Sequence, residues 1–188
     1  MGGSCCETGG ATSLDQVRTA DDSLARIHVA LAGQPNVGKS TIFNLLTGLN
    51  QHVGNWPGKT VEQKIGSLTR DGITLDIVDL PGTYSLTANS PEELITREYI
   101  LTQRPNVIVA IVDAAILERS LYLVAELVQL GMPLVVGLNM LDVATRHGTR
   151  IDTRRLSEAI GVPVIDVIAA KKIGIDQLVQ MAVQAARS

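Results

Sequence analysis

The stretch "GQPNVGKS", Gly33 to Ser40, decides the fold. It fits the phosphate-loop pattern G-x-x-x-x-G-K-[ST], and the pattern has a mechanical meaning. Glycines at both ends let the backbone curl until successive N–H groups point inward, and a helix starting at the end of the loop adds its positive pole, so the loop becomes a nest for a triphosphate. "RIHVALA" (Arg26 to Ala32) reads as the strand before it and Lys39 to Thr47 as the helix after it. The residues expected to wrap the phosphates are Gly33, Gln34, Pro35, Asn36, Val37, Gly38, Lys39, Ser40 and Thr41. Lys39 should reach the β- and γ-phosphates, and the Ser40 hydroxyl should ligate Mg²⁺.

Outward from that loop, apolar strands alternate with amphipathic helices, which predicts an α/β fold: a mostly parallel sheet with helices on both faces. Six strands are expected: Arg26 to Ala32, Glu62 to Thr69, Ile73 to Asp79, Asn106 to Asp113, Pro133 to Asn139 and Val162 to Ala169. The second and third are joined by "RDG", a hairpin signal, so one edge strand should run antiparallel. Five helices are expected, at Lys39 to Thr47, Glu92 to Leu101, Leu117 to Leu130, Thr153 to Ile160 and Ile175 to Ala186.

The chain has 188 residues, 45% of them hydrophobic and 19% charged, with a net charge of -3. That length suits one domain, here residues 26–188. Residues 1–25, which open "MGGSCCETGG", read as a flexible tail, and adjacent Cys5 and Cys6 offer neither a disulfide framework nor a four-ligand metal site. The slight negative charge gives phosphate backbones no attraction, so nucleic acid is not an expected partner. No apolar run approaches the roughly 20 residues that span a bilayer, and no secretory leader is visible, so a soluble intracellular chain is expected.

The base is chosen by later loops. "NMLD", Asn139 to Asp142, follows the fifth strand, where the Asp142 carboxylate suits the N1-H and exocyclic N2-H of guanine, a donor pair adenine lacks. It resembles the N-K-x-D motif of Ras-like GTPases, with Met140 in the lysine position. "DLPG", Asp79 to Gly82, resembles D-x-x-G: Asp79 would hold Mg²⁺ through water, and the Gly82 amide would face the γ-phosphate. The last base loop has only "AAKK", with Ala169 and Ala170 as its candidates.

"GNWPGKTVEQKIG", "DLPGTYSLTANSPEELITREYIL" and "NMLDVA" together resemble the N-terminal G domain of the FeoB ferrous-iron transport family, from about Ile27 to the last helix. The resemblance implies a Ras-like P-loop GTPase that hydrolyses GTP slowly to GDP and phosphate. It also implies a parent protein in which a helical domain and a membrane permease follow, at the cytoplasmic face of the bacterial inner membrane. By the same resemblance "HVGNWPGKT" (His52 to Thr60) is the first switch loop. Gly58, Lys59 and Thr60 would close over the nucleotide, with Thr60 joining Ser40 and Asp79 around Mg²⁺. Asn36 and the carbonyls of Gly54 and Trp56 would hold K⁺ beside the phosphates. Thr83 follows Gly82 where Ras-like proteins carry a water-orienting glutamine, so Asn36, Lys39, Thr60 and Gly82 are left as the catalytic candidates. The Trp56 indole would either anchor a partner or pack on the domain's own surface.

Two other readings compete: a cation-dependent GTPase of ribosome or tRNA maturation, and a nucleotide-sensing module whose hydrolysis is incidental. The acidic run Glu92, Glu93 and Glu98 reads as a helix start, with Ser90 as N-cap and Glu93 closing a capping box. No iron site is assigned.

Overall fold

The computed structural model describes residues 26–188. The readings of residues 1–25, the tail and Cys5 and Cys6 among them, lie outside the described residues. In chain order the elements are β1 (Arg26–Gly33), α1 (Lys39–Thr47), β2 (Gln51–Asn55), β3 (Glu62–Arg70), β4 (Ile73–Asp79), α2 (Pro91–Gln103) and β5 (Val107–Asp113). Then follow α3 (Leu117–Gln129), β6 (Leu134–Asn139), α4 (Leu141–Arg146), α5 (Thr153–Ile160), β7 (Val164–Asp166) and α6 (Ile175–Ala186). Single 3₁₀ turns precede α3 at Ala114–Ile116 and follow β7 at Ala169–Lys171.

The strands form one sheet in the order β2-β3-β4-β1-β5-β6-β7. β4, β1, β5, β6 and β7 are parallel to their neighbours among themselves. β5, "VIVAIVD", is buried over all but its last residue, as a strand covered on both faces must be. Alternation along β1 divides the core. Ala30 and Ala32 face a cluster with Ile95 and Ile100 of α2 and Leu123 and Leu127 of α3. Val29 and Leu31 face a cluster with Ile42 and Phe43 of α1 and Leu178 and Ala182 of α6. Parallel strands put the loops after β1, β4, β6 and β7 along one edge of the sheet, where ligands of such folds bind.

Four features differ from the expected elements, the first being the last strand, which covers only Val164–Asp166 of the expected Val162 to Ala169 because Ala169 already turns into a 3₁₀ helix. The sheet has seven strands, because β2 forms from Gln51–Asn55 and pairs antiparallel with β3. The sequence there lacks a strand's alternation. The unpaired edge of β3 supplies the hydrogen bonds instead. Consequently β3, which is antiparallel to β4, lies second from the edge and β2 is the edge itself. The hairpin between β3 and β4 turns at Asp71 and Gly72, both with positive φ (51° and 77°), as a two-residue hairpin loop requires. The sixth helix, α4, is only six residues long, too short to leave a periodic signal.

Gly174, the residue before α6, tests how tightly the sheet and this helix are joined. Its φ is 78°, and an added Cβ would lie 1.9 Å from the backbone oxygen of Asp166. Because backbone cannot swing aside as a side chain can, Gly174→Ala should cost at least about 2 kcal/mol in urea denaturation. The same change at Gly48, whose added Cβ meets nothing within 4 Å, should cost only the strain of its φ of 56°.

Candidate functional site

A cavity of about 580 Å³ opens at the C-terminal edge of the sheet, lined by Gln34, Pro35, Asn36, Gly38, Lys39, Ser40, Thr41, Gly82 and Met140. Two glycines make its floor possible. At Gly33 (φ 155°) a Cβ would approach the Ile111 carbonyl oxygen to 2.7 Å, and at Gly38 (φ 88°) it would approach Asn139 Nδ2 to 2.4 Å. The loop therefore lies directly on β5 and on the end of β6. Asn36 takes a left-handed conformation (φ 66°) and is exposed at the rim.

Lys39 and Ser40, in the first turn of α1, converge on Asp79 at the end of β4. The Lys39 ammonium contacts Asp79 Oδ1, with both side chains buried, and Ser40 Oγ lies 3.4 Å from Asp79 Oδ2. Burial of such a pair is costly unless further polar partners share the charge, and here Ser40 Oγ is one. A hydroxyl and a carboxylate side by side are the hard oxygen donors that suit Mg²⁺, so this donor set fits that ion. Gly82, three residues on, packs against the loop so closely that a Cβ would lie 3.1 Å from the Pro35 backbone. The Thr83 N–H donates to the Gly33 carbonyl at 3.2 Å.

Asn139 is 3% exposed and uses its carboxamide structurally. Its Nδ2 donates to the Val37 carbonyl (2.9 Å), and its Oδ1 accepts from the Ala169 N–H (3.0 Å). One side chain thus ties the phosphate loop to the last loop of the sheet. Met140 (φ 63°) caps α4 and lines the cavity; Asp142, in the first turn, is half-buried, and no hydrogen bond from the described residues reaches its carboxylate. Ala169 is buried and Ala170 exposed.

The structure does not bring the switch-loop candidates to this cavity. Gly54, Trp56, Gly58, Lys59 and Thr60 are absent from its lining. Gly54 is paired with Gln63 in the β2–β3 ladder, and Thr60 is exposed in the turn beyond. The Trp56 N–H donates to the Val61 carbonyl and the Trp56 carbonyl accepts from the Lys59 N–H, both at 2.9 Å. Its indole packs on the domain's own surface: 8% exposed, it meets the Tyr99 ring of α2 edge-on at 5.4 Å and 76°. The indole Nε1 has no hydrogen-bond partner among the described residues. Burial, with a smaller contribution from the Asp76 charge, pushes the Tyr99 phenol up from its ordinary value, so that ring stays neutral under the indole across the physiological range. Ser90 caps α2 as expected, accepting from the Glu93 N–H at 3.2 Å. The Glu93 carboxylate reaches back to the Asn89 N–H at 3.0 Å, one residue beyond the capping-box partner, the Ser90 N–H.

The Asn139 tie has a measurable weight. Asn139→Ala leaves a buried carbonyl and a buried N–H unpaired, which at about 1–3 kcal/mol each predicts a loss of roughly 2–6 kcal/mol in urea denaturation. Asn139→Asp retains only the bond from Ala169 and places a carboxylate against the Val37 carbonyl, so it should be no more stable than the alanine variant.

With this geometry in place, the chain can be set beside known proteins. A family model described as ferrous iron transport protein B matches residues 27–182. The Fe(2+) transporter FeoB of Legionella pneumophila (strain Paris) is 46% identical over 157 residues, 81% of this chain and 21% of that protein. The Salmonella typhimurium FeoB is 44% identical over 159 residues, again 21% of its length. The chain thus spans about a fifth of the curated relatives it matches. Among solved structures, the FeoB G-domain from Methanococcus jannaschii aligns over 87% of this chain and 99% of its own, with 44% identity and a TM-score of 0.77. A GDP-bound S. thermophilus NFeoB mutant aligns over 85% of this chain and 62% of its own, with 46% identity and a TM-score of 0.80. The loops that line the cavity all fall within the matched span, and the chain belongs to the FeoB ferrous iron transport protein family.

Proposed function

We propose that this chain is the GTP-binding and GTP-hydrolysing switch domain of a ferrous-iron transporter. The observation that carries the reading is the convergence of Lys39, Ser40 and Asp79 beneath a glycine-framed loop, with Gly82 against that loop and Asn36 and Met140 at the cavity's rim. A triphosphate fits that arrangement, because N–H groups of a curled loop and a helix start supply fixed positive charge without reorganisation. Lys39 would exchange its contact with Asp79 for phosphate oxygens. Bound to Ser40 and near Asp79, Mg²⁺ would offset the charge on the β- and γ-phosphates. Asp142, its carboxylate unspent, would select guanine. GDP in the S. thermophilus relative supports this base.

Hydrolysis needs positive charge where the bond breaks and a held water, and this chain has Thr83 where a water-orienting glutamine would sit. The reading therefore gives those tasks to the first switch loop, with K⁺ at Asn36 and the carbonyls of Gly54 and Trp56, and Thr60 on the Mg²⁺ side. In the present arrangement those carbonyls do not form such a site with Asn36: Gly54 lies in β2 and the Trp56 carbonyl is spent on Lys59. Closure must unzip β2 from β3 and draw Trp56 away from Tyr99. The same movement suits a switch that reports nucleotide state to the helical domain and permease of a parent protein at the cytoplasmic face of a bacterial inner membrane. No helix among the described residues is long and apolar enough to cross a membrane.

Two measurements test the reading. GTP turnover at matched ionic strength, with Mg²⁺ present, should be several-fold faster in K⁺ than in Na⁺ and absent with ATP; equal rates in both salts would remove the cation from the mechanism. Trp56 is the only tryptophan, so its fluorescence reports closure directly. A non-hydrolysable GTP analogue with K⁺ should increase acrylamide quenching of that emission, while GDP should not. Unchanged quenching in every nucleotide state would leave the loop parked and overturn closure.

A further inference from the structure

The segment that follows Gly82 is held from a side that no phosphate-binding motif includes. The Leu86 N–H donates to Glu126 Oε2 of α3 at 2.7 Å, in a half-buried setting. The Arg119 guanidinium, also on α3, lies over the Tyr84 ring at 4.4 Å from its centroid. Arg119 also reaches the phosphate loop, since its backbone carbonyl accepts from Gln34 Nε2 at 2.7 Å. The Thr83 N–H closes the circuit on the Gly33 carbonyl at 3.2 Å. Four contacts thus join the phosphate loop, residues 83–86 and α3 into one junction with Gly82 at its cavity side.

The junction is firm on its rim and under-satisfied within. Gln34 Oε1, Thr83 Oγ1 and Ser120 Oγ are all buried, each on or next to one of these contacts, and none has a hydrogen-bond partner among the described residues. Within residues 83–86 the Thr83 hydroxyl thus gives no hold, and the side-chain hydrogen bond to another element is the longer Ser85 Oγ–Glu93 Oε1 bond of 3.3 Å to α2. A carboxylate-to-amide bond is the stronger kind of hydrogen bond, and a guanidinium over an aromatic face adds attraction even at an exposed site.

We infer that Glu126 and Arg119 are positioning residues for GTP hydrolysis: from α3 they fix residues 84–86 and so hold the Gly82 amide at the γ-phosphate position. The inference rests on the GTPase reading above and adds to it an element with no phosphate contact of its own. Misplacement of a reacting group by about an ångström costs on the order of a hundredfold in rate, so losing either clamp from α3 should be visible in turnover.

The test compares Glu126→Ala, Glu126→Gln and Arg119→Ala in the 188-residue protein. Glu126→Ala should lower kcat for GTP about tenfold with KM and GDP affinity within twofold of wild type. Glu126→Gln, which keeps an acceptor for the Leu86 N–H, should recover most of that loss. Arg119→Ala should fall between them. Wild-type kcat in Glu126→Ala overturns the inference, and so does a loss of GDP affinity or melting temperature as large as the loss of rate, which would mark a merely structural contact. Hydrogen exchange at the Leu86 amide reads the clamp without nucleotide: it should quicken at least tenfold in Glu126→Ala and not in Glu126→Gln, and no quickening overturns the clamp. A wild-type protein that protects this amide but neither binds GDP nor turns over GTP overturns the GTPase reading instead.

Discussion

Most of the site depends on one buried carboxamide. Asn139 sits at the end of the sixth strand, where it is level with Asp113, and spends its donor on the phosphate loop and its acceptor on the loop after the seventh strand. Loops carry little packing of their own, and a curled loop framed by glycines has high conformational freedom to lose. Fixing it from the sheet, through a side chain that has no other partner to choose, gives the nest its shape before any ligand arrives. Gly38 is the complement of this bond, because a Cβ there would displace the very amide that makes it.

The other side of the cavity is built differently. The sheet's edge extends through Gln51–Asn55, so a stretch whose sequence suits a loop becomes a strand by borrowing the hydrogen bonds of its neighbour. The next residue, Trp56, is buried against Tyr99 with its indole N–H unpartnered. An edge strand that is exposed along most of its length and held on one side only, by its ladder to β3 and the packing of Trp56 just beyond it, is a low-stability unit, and such units are the ones that move when a ligand binds. Rigidity therefore belongs to the phosphate loop, and the edge strand is the more weakly held unit, both hung on the same sheet. Between them, residues 83–86 are fastened to α3 by Glu126 and Arg119, which places the loop after Gly82 on the rigid side of the division.

The phosphate loop, α1, the β3–β4 hairpin and the buried parallel strands were legible because each is set by local chemistry: glycine geometry, apolar period and turn residues. The bounds of α1, α5 and α6 follow the expected ones residue for residue, since capping and periodicity are also local. β2 was not legible, because its pairing depends on an edge supplied by residues far along the chain. Nor was α4, too short to show a period, nor the roles of Gln34, Arg119 and Glu126, whose partners are 85, 85 and 40 residues away.

By itself the sequence determined a glycine-framed loop at the end of a buried strand, with Lys39 and Ser40 opening the helix behind it. Those facts reside in residue types at fixed short spacings, which the backbone must obey in any fold that contains them. Only the tertiary structure decided that Asn139 would be a tie between loops, that Trp56 would be buried against Tyr99 with β2 zipped to the sheet, and that α3 would grip the loop beyond Gly82. Each of these is a contact between segments distant in the chain, formed because the parallel sheet brings their ends to one edge or its layered faces press helices onto them. Spacing in the sequence carries no record of that juxtaposition.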